Sequence, residues 1–403
     1  MSFHISRRNF IKSAAVFSAI GLAPNFLTRS AHAAPGTIEG FRDDRVLVVI
    51  QLAGGNDGLN TVVPYGDDAY YRARPNLGLR KNRILPIDDH FALNDKLRGL
   101  MELYDDGKVA GIHGVGYPNP DRSHFRSMEI WETASDSDEY LGTGWIGRYF
   151  DNYCSGAARP QAGVAIAKER PQAFDGDKGY GIAFEHPKGF GWKAGQGADG
   201  PENFRRINSG GSPNDTLDFL RHTTSNAIMS ASEVQRAAET ARADLKPNQP
   251  LQTVAALIRG GLETCIYYVP FSGFDTHASQ SGQHDNLLER FGDQLHTFQK
   301  TLERDGTSGR VMTMVFSEFG RRVAENGSGG TDHGTAAPMF LAGDAVRAGF
   351  HGTAPSLNNL NNGDLKHTTD FRSVYASVLE RWFDVASANV LQGAYTPLDV
   401  IRA

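Results

Sequence analysis

Residues 44–58 read Asp-Arg-Val-Leu-Val-Val-Ile-Gln-Leu-Ala-Gly-Gly-Asn-Asp-Gly. The middle of this stretch is a near-continuous apolar run, without the polar alternation of a strand that shows one face to water. Such a run is expected of a parallel strand covered on both faces. It stops at Gly54-Gly55-Asn56-Asp57-Gly58, a turn built from residues that tolerate unusual backbone angles. A buried strand ending in a polar, glycine-rich turn is the place where open α/β sheets bind ligands.

The same unit recurs along the chain. Residues 109–115, 265–269 and 311–316 read as further strands, with a short one at 339–341. Helical periods lie between or beside them at 96–104, 123–134, 215–245, 251–262, 281–304 and 371–383. This alternation predicts an α/β fold, a three-layer sandwich around a mostly parallel central sheet. Residues 155–215 are rich in Gly, Pro and Lys and read as an insertion or cap. With no internal repeat and no clean linker, residues 34–403 are expected to form a single domain.

The composition fits that reading. Of 403 residues, 40% are hydrophobic and 22% charged, the balance of an average globular protein, which excludes a disordered, collagenous or multi-span membrane chain. The formal net charge of −5 gives no general basic surface for phosphate backbones, so no nucleic-acid partner is expected. Cys154 and Cys265 are the only cysteines, too few for a disulfide framework or a thiolate zinc site. A metal would have to be held by carboxylates and imidazoles.

The N-terminus carries Ser6-Arg7-Arg8-Asn9-Phe10-Ile11-Lys12, a mildly apolar stretch from Ser13 to Leu27, and Ala31-His32-Ala33. This is the layout of an export signal with a small-residue cleavage site after residue 33. The apolar stretch is too short and too interrupted for a stable membrane span. The Ser-Arg-Arg-x-Phe-x-Lys pattern resembles bacterial twin-arginine (Tat) signals, which implies passage through the Tat translocase into the periplasm or beyond. Removing residues 1–33 takes away four basic residues and no acid, so the formal charge moves from −5 to −9.

Acids and histidines cluster where strands end. Asp57 follows the first strand, Asp275 and His277 follow the third, and Glu318 follows the fourth; His333 lies in Gly330-Thr331-Asp332-His333-Gly334. Converging carboxylates repel one another unless a cation neutralises them. Zn²⁺, Mn²⁺ and Mg²⁺ accept such ligands. Taken singly, Asp57 also reads as a turn residue, Asp275 as a helix cap and His333 as a loop histidine. Ser123, at the start of a helix after the second strand, is either an N-cap or a nucleophile beside a helix N-terminus. Arg122 and Arg126 are nearby candidates for contacting an anionic oxygen, and spacing alone assigns His124 no role.

The blocks Leu52–Asn60, Ser123-His-Phe125, Phe274-Asp-Thr-His277, Ser317-Glu-Phe-Gly-Arg321 and Thr331-Asp-His-Gly334 resemble the DUF1501 family over essentially the whole exported chain. That resemblance implies Tat export and an alkaline-phosphatase-like fold within the alkaline phosphatase/sulfatase superfamily. It also implies one or two divalent ions beside a serine nucleophile. By position, Asp57 resembles the aspartate of the metal next to the nucleophile, and Ser123 the nucleophile. Asp275, His277 and His333 resemble ligands of the other metal. Glu318 falls where the superfamily usually places an Asp-His pair, and here Phe319 follows it. No C/S-x-P-x-R formylglycine motif occurs at Ser123, Cys154 or Cys265.

Two functions from different classes follow. One is a periplasmic metal-dependent hydrolase of phosphate esters, sulfate esters being second, acting on a small-molecule or polymer ester through Ser123 and Arg122. The other is a non-catalytic relative that binds a partner or surface polymer.

Overall fold

The computed structural model describes residues 44–154, 160–177, 181–190, 203, 206, 229–239 and 249–402. The leader expected at residues 1–33 lies outside these, as do much of the insertion at 155–215 and most of the helix expected at 215–245. The chain divides into two compact units, one containing residues 146–264 and the other residues 42–145 with 265–403.

The larger unit is built on β1 (Val46–Ala53), the run that opens the sequence. β2 (Val62–Val63), β3 (Ile84–Pro86) and β4 (Ala92–Asn94) make a small antiparallel sheet, and helix α1 (Asp68–Ala73) follows β2. Helix α2 (Arg98–Asp105) leads into β5 (Val109–Gly116), and α3 (His124–Thr133) follows β5. In the smaller unit, α4 (Trp145–Tyr153) enters at its first residues, β6 (Gly163–Ala165) pairs in parallel with β7 (Ile182–Ala183), and α5 (Pro250–Arg259) closes the described part. The larger unit resumes with β8 (Ile266–Ser272), the long helix α6 (Gln280–Arg304), β9 (Val311–Phe316) and β10 (Ala337–Ala342). Short strands β11 (Gly349–His351) and β12 (Thr369–Asp370) and helices α7 (Phe371–Ser377) and α8 (Ser387–Leu391) complete it.

Its sheet runs β11-β5-β10-β9-β1-β8, with β12 also on β5. β1 is parallel to both neighbours, pairing Ile50 with Val269 of β8 and with Val315 of β9. The expected mostly parallel sheet flanked by helices is therefore present, with one departure. β10 is antiparallel to β9 and to β5. No helix crosses over between β9 and β10, and only a crossover brings a chain back parallel. Because β10 opposes both neighbours, β5 points the same way as β9, and its carboxyl end lies on the same edge as those of β1, β8 and β9.

Helix α6 packs on α2 so closely that a Cβ on Gly99 would come within 2.6 Å of the Gly292 carbonyl. Trp131 of α3 stacks on Phe316 of β9 and Phe371 of α7, at centroid distances of 5.0 and 4.4 Å. These contacts fix α3, and with it the residues at its N-terminus.

Candidate metal centre

Three strand ends meet because two glycines let them. Gly54 and Gly55 have φ of +120° and +74°, angles that L side chains rarely adopt. Space forbids a side chain as well. A Cβ on Gly54 would overlap the backbone of Phe274 and Asp275, and one on Gly55 would overlap the Phe319 ring. Gly55→Ala is expected to cost roughly 3 kcal/mol through strain and overpacking together. A urea midpoint that does not move would contradict this close packing.

Arg321 ties the same ends together. Its buried guanidinium donates from Nε to the Gly55 carbonyl (2.6 Å), from Nη1 to Thr331 (2.8 Å), and from Nη2 to Phe274 (3.1 Å) and Gly54. Nη2 also donates to Asp275 Oδ1 at 2.7 Å. Burial alone would raise the Asp275 pKa, but the hydrogen bond and charge of the Arg321 guanidinium hold it at about 2. Asp275 is thus an anion at every relevant pH, and it is still half exposed.

Three imidazoles turn toward this carboxylate. Nε2 of His277 and Nε2 of His333 lie 3.0 and 3.2 Å from Asp275 Oδ1, and Nε2 of His124 lies 3.5 Å from Oδ2. Their other nitrogens are each held by an acceptor. His333 Nδ1 donates to the Arg122 carbonyl (2.8 Å), His124 Nδ1 to Glu318 Oε1 (3.0 Å) and His277 Nδ1 to Asp332 Oδ1 (3.3 Å). A carbonyl or carboxylate can only accept, so with a cation at Nε2 each neutral ring would carry its proton on Nδ1. Metal-binding histidines are oriented in this way.

Nε2 of His277 and Nε2 of His333 are 2.9 Å apart. Two lone pairs so close repel unless a proton or a cation stands between them. Burial lowers the His333 pKa, whereas the hydrogen bond that His124 donates to Glu318 raises that of His124.

The donor set fits the implied divalent ion. Nε2 of His124 is buried without a hydrogen-bond partner, although it faces a carboxylate. Ligand atoms of His124, Asp275 and His333 all lie within 4.8 Å of one another. Three imidazole nitrogens and a carboxylate oxygen suit Zn²⁺ or Mn²⁺ better than Mg²⁺, which prefers oxygen and keeps its waters.

Of the residues singled out from sequence, Asp275, His277 and His333 come together. Glu318 sits behind them, accepting from His124 and from the Gly54 N–H at 2.8 Å. Asp57 is not brought into this group. It is fully buried in an ion pair with Arg74 Nη1 (2.6 Å) and also accepts from Gln280. Burial opposes its ionisation, but Arg74 keeps its pKa lowered. The cation beside Asp57 is therefore a guanidinium.

Ser123 occupies the N-cap position of α3 with extended backbone angles, yet its side chain makes no capping bond. Its N–H donates to Asp121 Oδ1 at 2.6 Å, and the residue is exposed. The Arg122 side chain pairs with Asp364 (3.2 Å), so Arg122 reaches the centre through its carbonyl. His124, Arg321, Asp332 and Arg74 carry no assigned role in the sequence alone. For His124 a signal existed, since it lies beside Ser123 at the helix start that follows a strand end.

A family model described as "Protein of unknown function (DUF1501)" matches residues 115–394. No curated protein sequence matches the chain. Among solved structures it is similar to Ps i-CgsB in complex with k-i-k-neocarrahexaose (9% identity, 88% of this chain and 75% of that one, TM-score 0.42). It is also similar to the lipoteichoic acid synthase LtaP from Listeria monocytogenes (9%, 91% and 81%, 0.40). A third is a protein in the alkaline phosphatase superfamily from Vibrio parahaemolyticus (10%, 96% and 78%, 0.38).

Proposed function

The chain belongs to the DUF1501 family, and from that premise we propose that it is an exported, metal-dependent hydrolase of phosphate esters, with sulfate esters as the second substrate class. The observation that carries this reading is the set of three histidines whose Nδ1 atoms are held by acceptors while their Nε2 atoms face Asp275. A divalent cation held by His124, His277, His333 and Asp275 would supply charge stabilisation to the phosphoryl oxygens. Arg74 already neutralises Asp57, which favours one ion over two.

The protein's own groups do the rest. Arg321 fixes Asp275 in place and keeps it ionised. Glu318 and Asp332 hold the His124 and His277 rings in one tautomer. The Ser123 hydroxyl, exposed and free of a cap bond, attacks phosphorus; the P–O bond to the ester oxygen breaks, and that oxygen takes up the proton serine gives up and leaves as an alcohol. Free N–H groups in the first turn of α3 stabilise the charge that builds up. Water then releases phosphate from the serine.

The test is elemental analysis of protein recovered from the periplasm, followed by assay against phosphate and sulfate esters. Ser123→Ala is expected to lower turnover at least a thousandfold while keeping the metal and the fold. Near wild-type turnover in that variant would remove Ser123 from the reaction. Protein recovered without metal would overturn the proposal. Metal without turnover of any ester would favour a binding protein.

A further inference from the structure

A second site lies away from the histidines. A cavity of about 210 Å³ opens between the small β2-β4-β3 sheet, the start of β10 and the loop around 354–365. Leu59, Val62, Phe91, Pro338 and Leu357 give it apolar walls. Asp67, His90 and Ser356 also line it, and one further polar group is set among the apolar walls. His113 of β5 is only 8% exposed, its ring lies between Phe91 (4.7 Å) and Phe350 (4.9 Å), and it lines the cavity. No side-chain hydrogen bond among the described residues occupies its nitrogens, so the ring is available to a molecule in the cavity it lines. Such a group in an apolar wall marks the place where a ligand completes a hydrogen bond.

The surroundings define the ligand. No Lys or Arg lines the cavity, so an anion finds no permanent counter-charge. The Asp67 carboxylate at its wall is committed to the Ala69 N–H (2.8 Å) and gives little to a cation. Burial pushes the His113 pKa down to about 4, so the ring is neutral at physiological pH and can both donate and accept. A dry cavity of about 150 Å³ is enough for benzene, and the extra volume here admits one substituent on such a ring. We propose that this cavity binds a small uncharged molecule with a single planar ring and one hydroxyl, of the size of a phenol, hydrogen-bonded to His113. The site is independent of the metal reading, and it shares the Ala336–Pro338 wall with the segment that follows His333.

The experiment is a fluorine NMR titration of the purified protein with 4-fluorophenol and with fluorobenzene. Wild-type protein is expected to bind 4-fluorophenol about tenfold more tightly than fluorobenzene, the discrimination of one hydrogen bond. His113→Phe, close in shape and packed between the same two rings, should still bind fluorobenzene while losing that preference. Ala354→Phe, a half-buried loop position on the cavity wall, should block both probes without touching the sheet. Failure of wild type to bind either probe, equal binding to Ala354→Phe, or an unchanged preference in His113→Phe would each overturn the proposal.

Discussion

Protein carrying His124→Ala is expected to be purified folded but with its metal affinity reduced at least a hundredfold. The variant removes an imidazole whose Nε2 is already buried, unpartnered and aimed at Asp275. Nothing else in that helix depends on the ring, and α3 stays anchored by Trp131 between Phe316 and Phe371. Glu318→Gln should weaken metal less, by roughly 10–100-fold, because Glu318 acts on His124 Nδ1 and not on the ion. This order discriminates between two readings. If Glu318 were itself a ligand, as its place after β9 first suggested, its loss would match or exceed that of His124. Wild-type metal content in His124→Ala, measured by mass spectrometry of the elements, would dismantle the centre as drawn.

Asp57→Asn should leave the metal content of the folded protein unchanged and lower its stability by roughly 3–5 kcal/mol. Asp57 and Arg74 are both fully buried, and removing one charge strands the other in a low-dielectric interior. Arg74 also donates to the Val323 and Arg322 carbonyls, each at 2.9 Å, so it cannot turn outward without orphaning them. Removing Arg74 as well should therefore cost less than the two single effects added together. The pH dependence has a definite sign. The folded pKa of Asp57 lies below its ordinary value of 3.8, so its contribution is complete above about pH 4 and fades as pH falls through the lowered value. The Asn variant should lack that acid-labile share. Urea titrations at pH 7 and near pH 3 would measure both, and an Asn variant as stable as wild type would refute the pair.

The strands could be read from the chain because covering a parallel sheet on both faces leaves almost no choice of residue. Residues 46–53 and 311–316 are apolar but for Gln51 and Thr313, and their polar turns then locate the site edge without further knowledge. The acids at Asp275 and Glu318 followed from position alone. What each does was not legible, because it depends on distance in space. His124 is 194 residues before Glu318 yet 3.0 Å from it, and no spacing rule reaches that far. Arg74 sits in a Tyr-Arg-Ala-Arg-Pro stretch that reads as a solvated helix end, but its guanidinium is among the most deeply buried groups in the protein. The reversed β10 was hidden for a related reason. A glycine-rich loop signals a turn, not the direction of the strand beyond it.

Arg321 has a consequence for the order of events in the life of the protein. The side chain that gathers Gly54, Gly55, Phe274, Thr331 and Asp275 carries its own permanent charge. The scaffold of the cradle is consequently finished when the sheet closes, and on the proposed metal reading ion capture would be a simple encounter between host and guest. Uptake should follow second-order kinetics, its rate rising in proportion to ion concentration without levelling off at a folding-limited plateau. If the proposed metal reading holds, a chain built in this way would be able to mature in one compartment and draw its ion from whichever side of a membrane offers it.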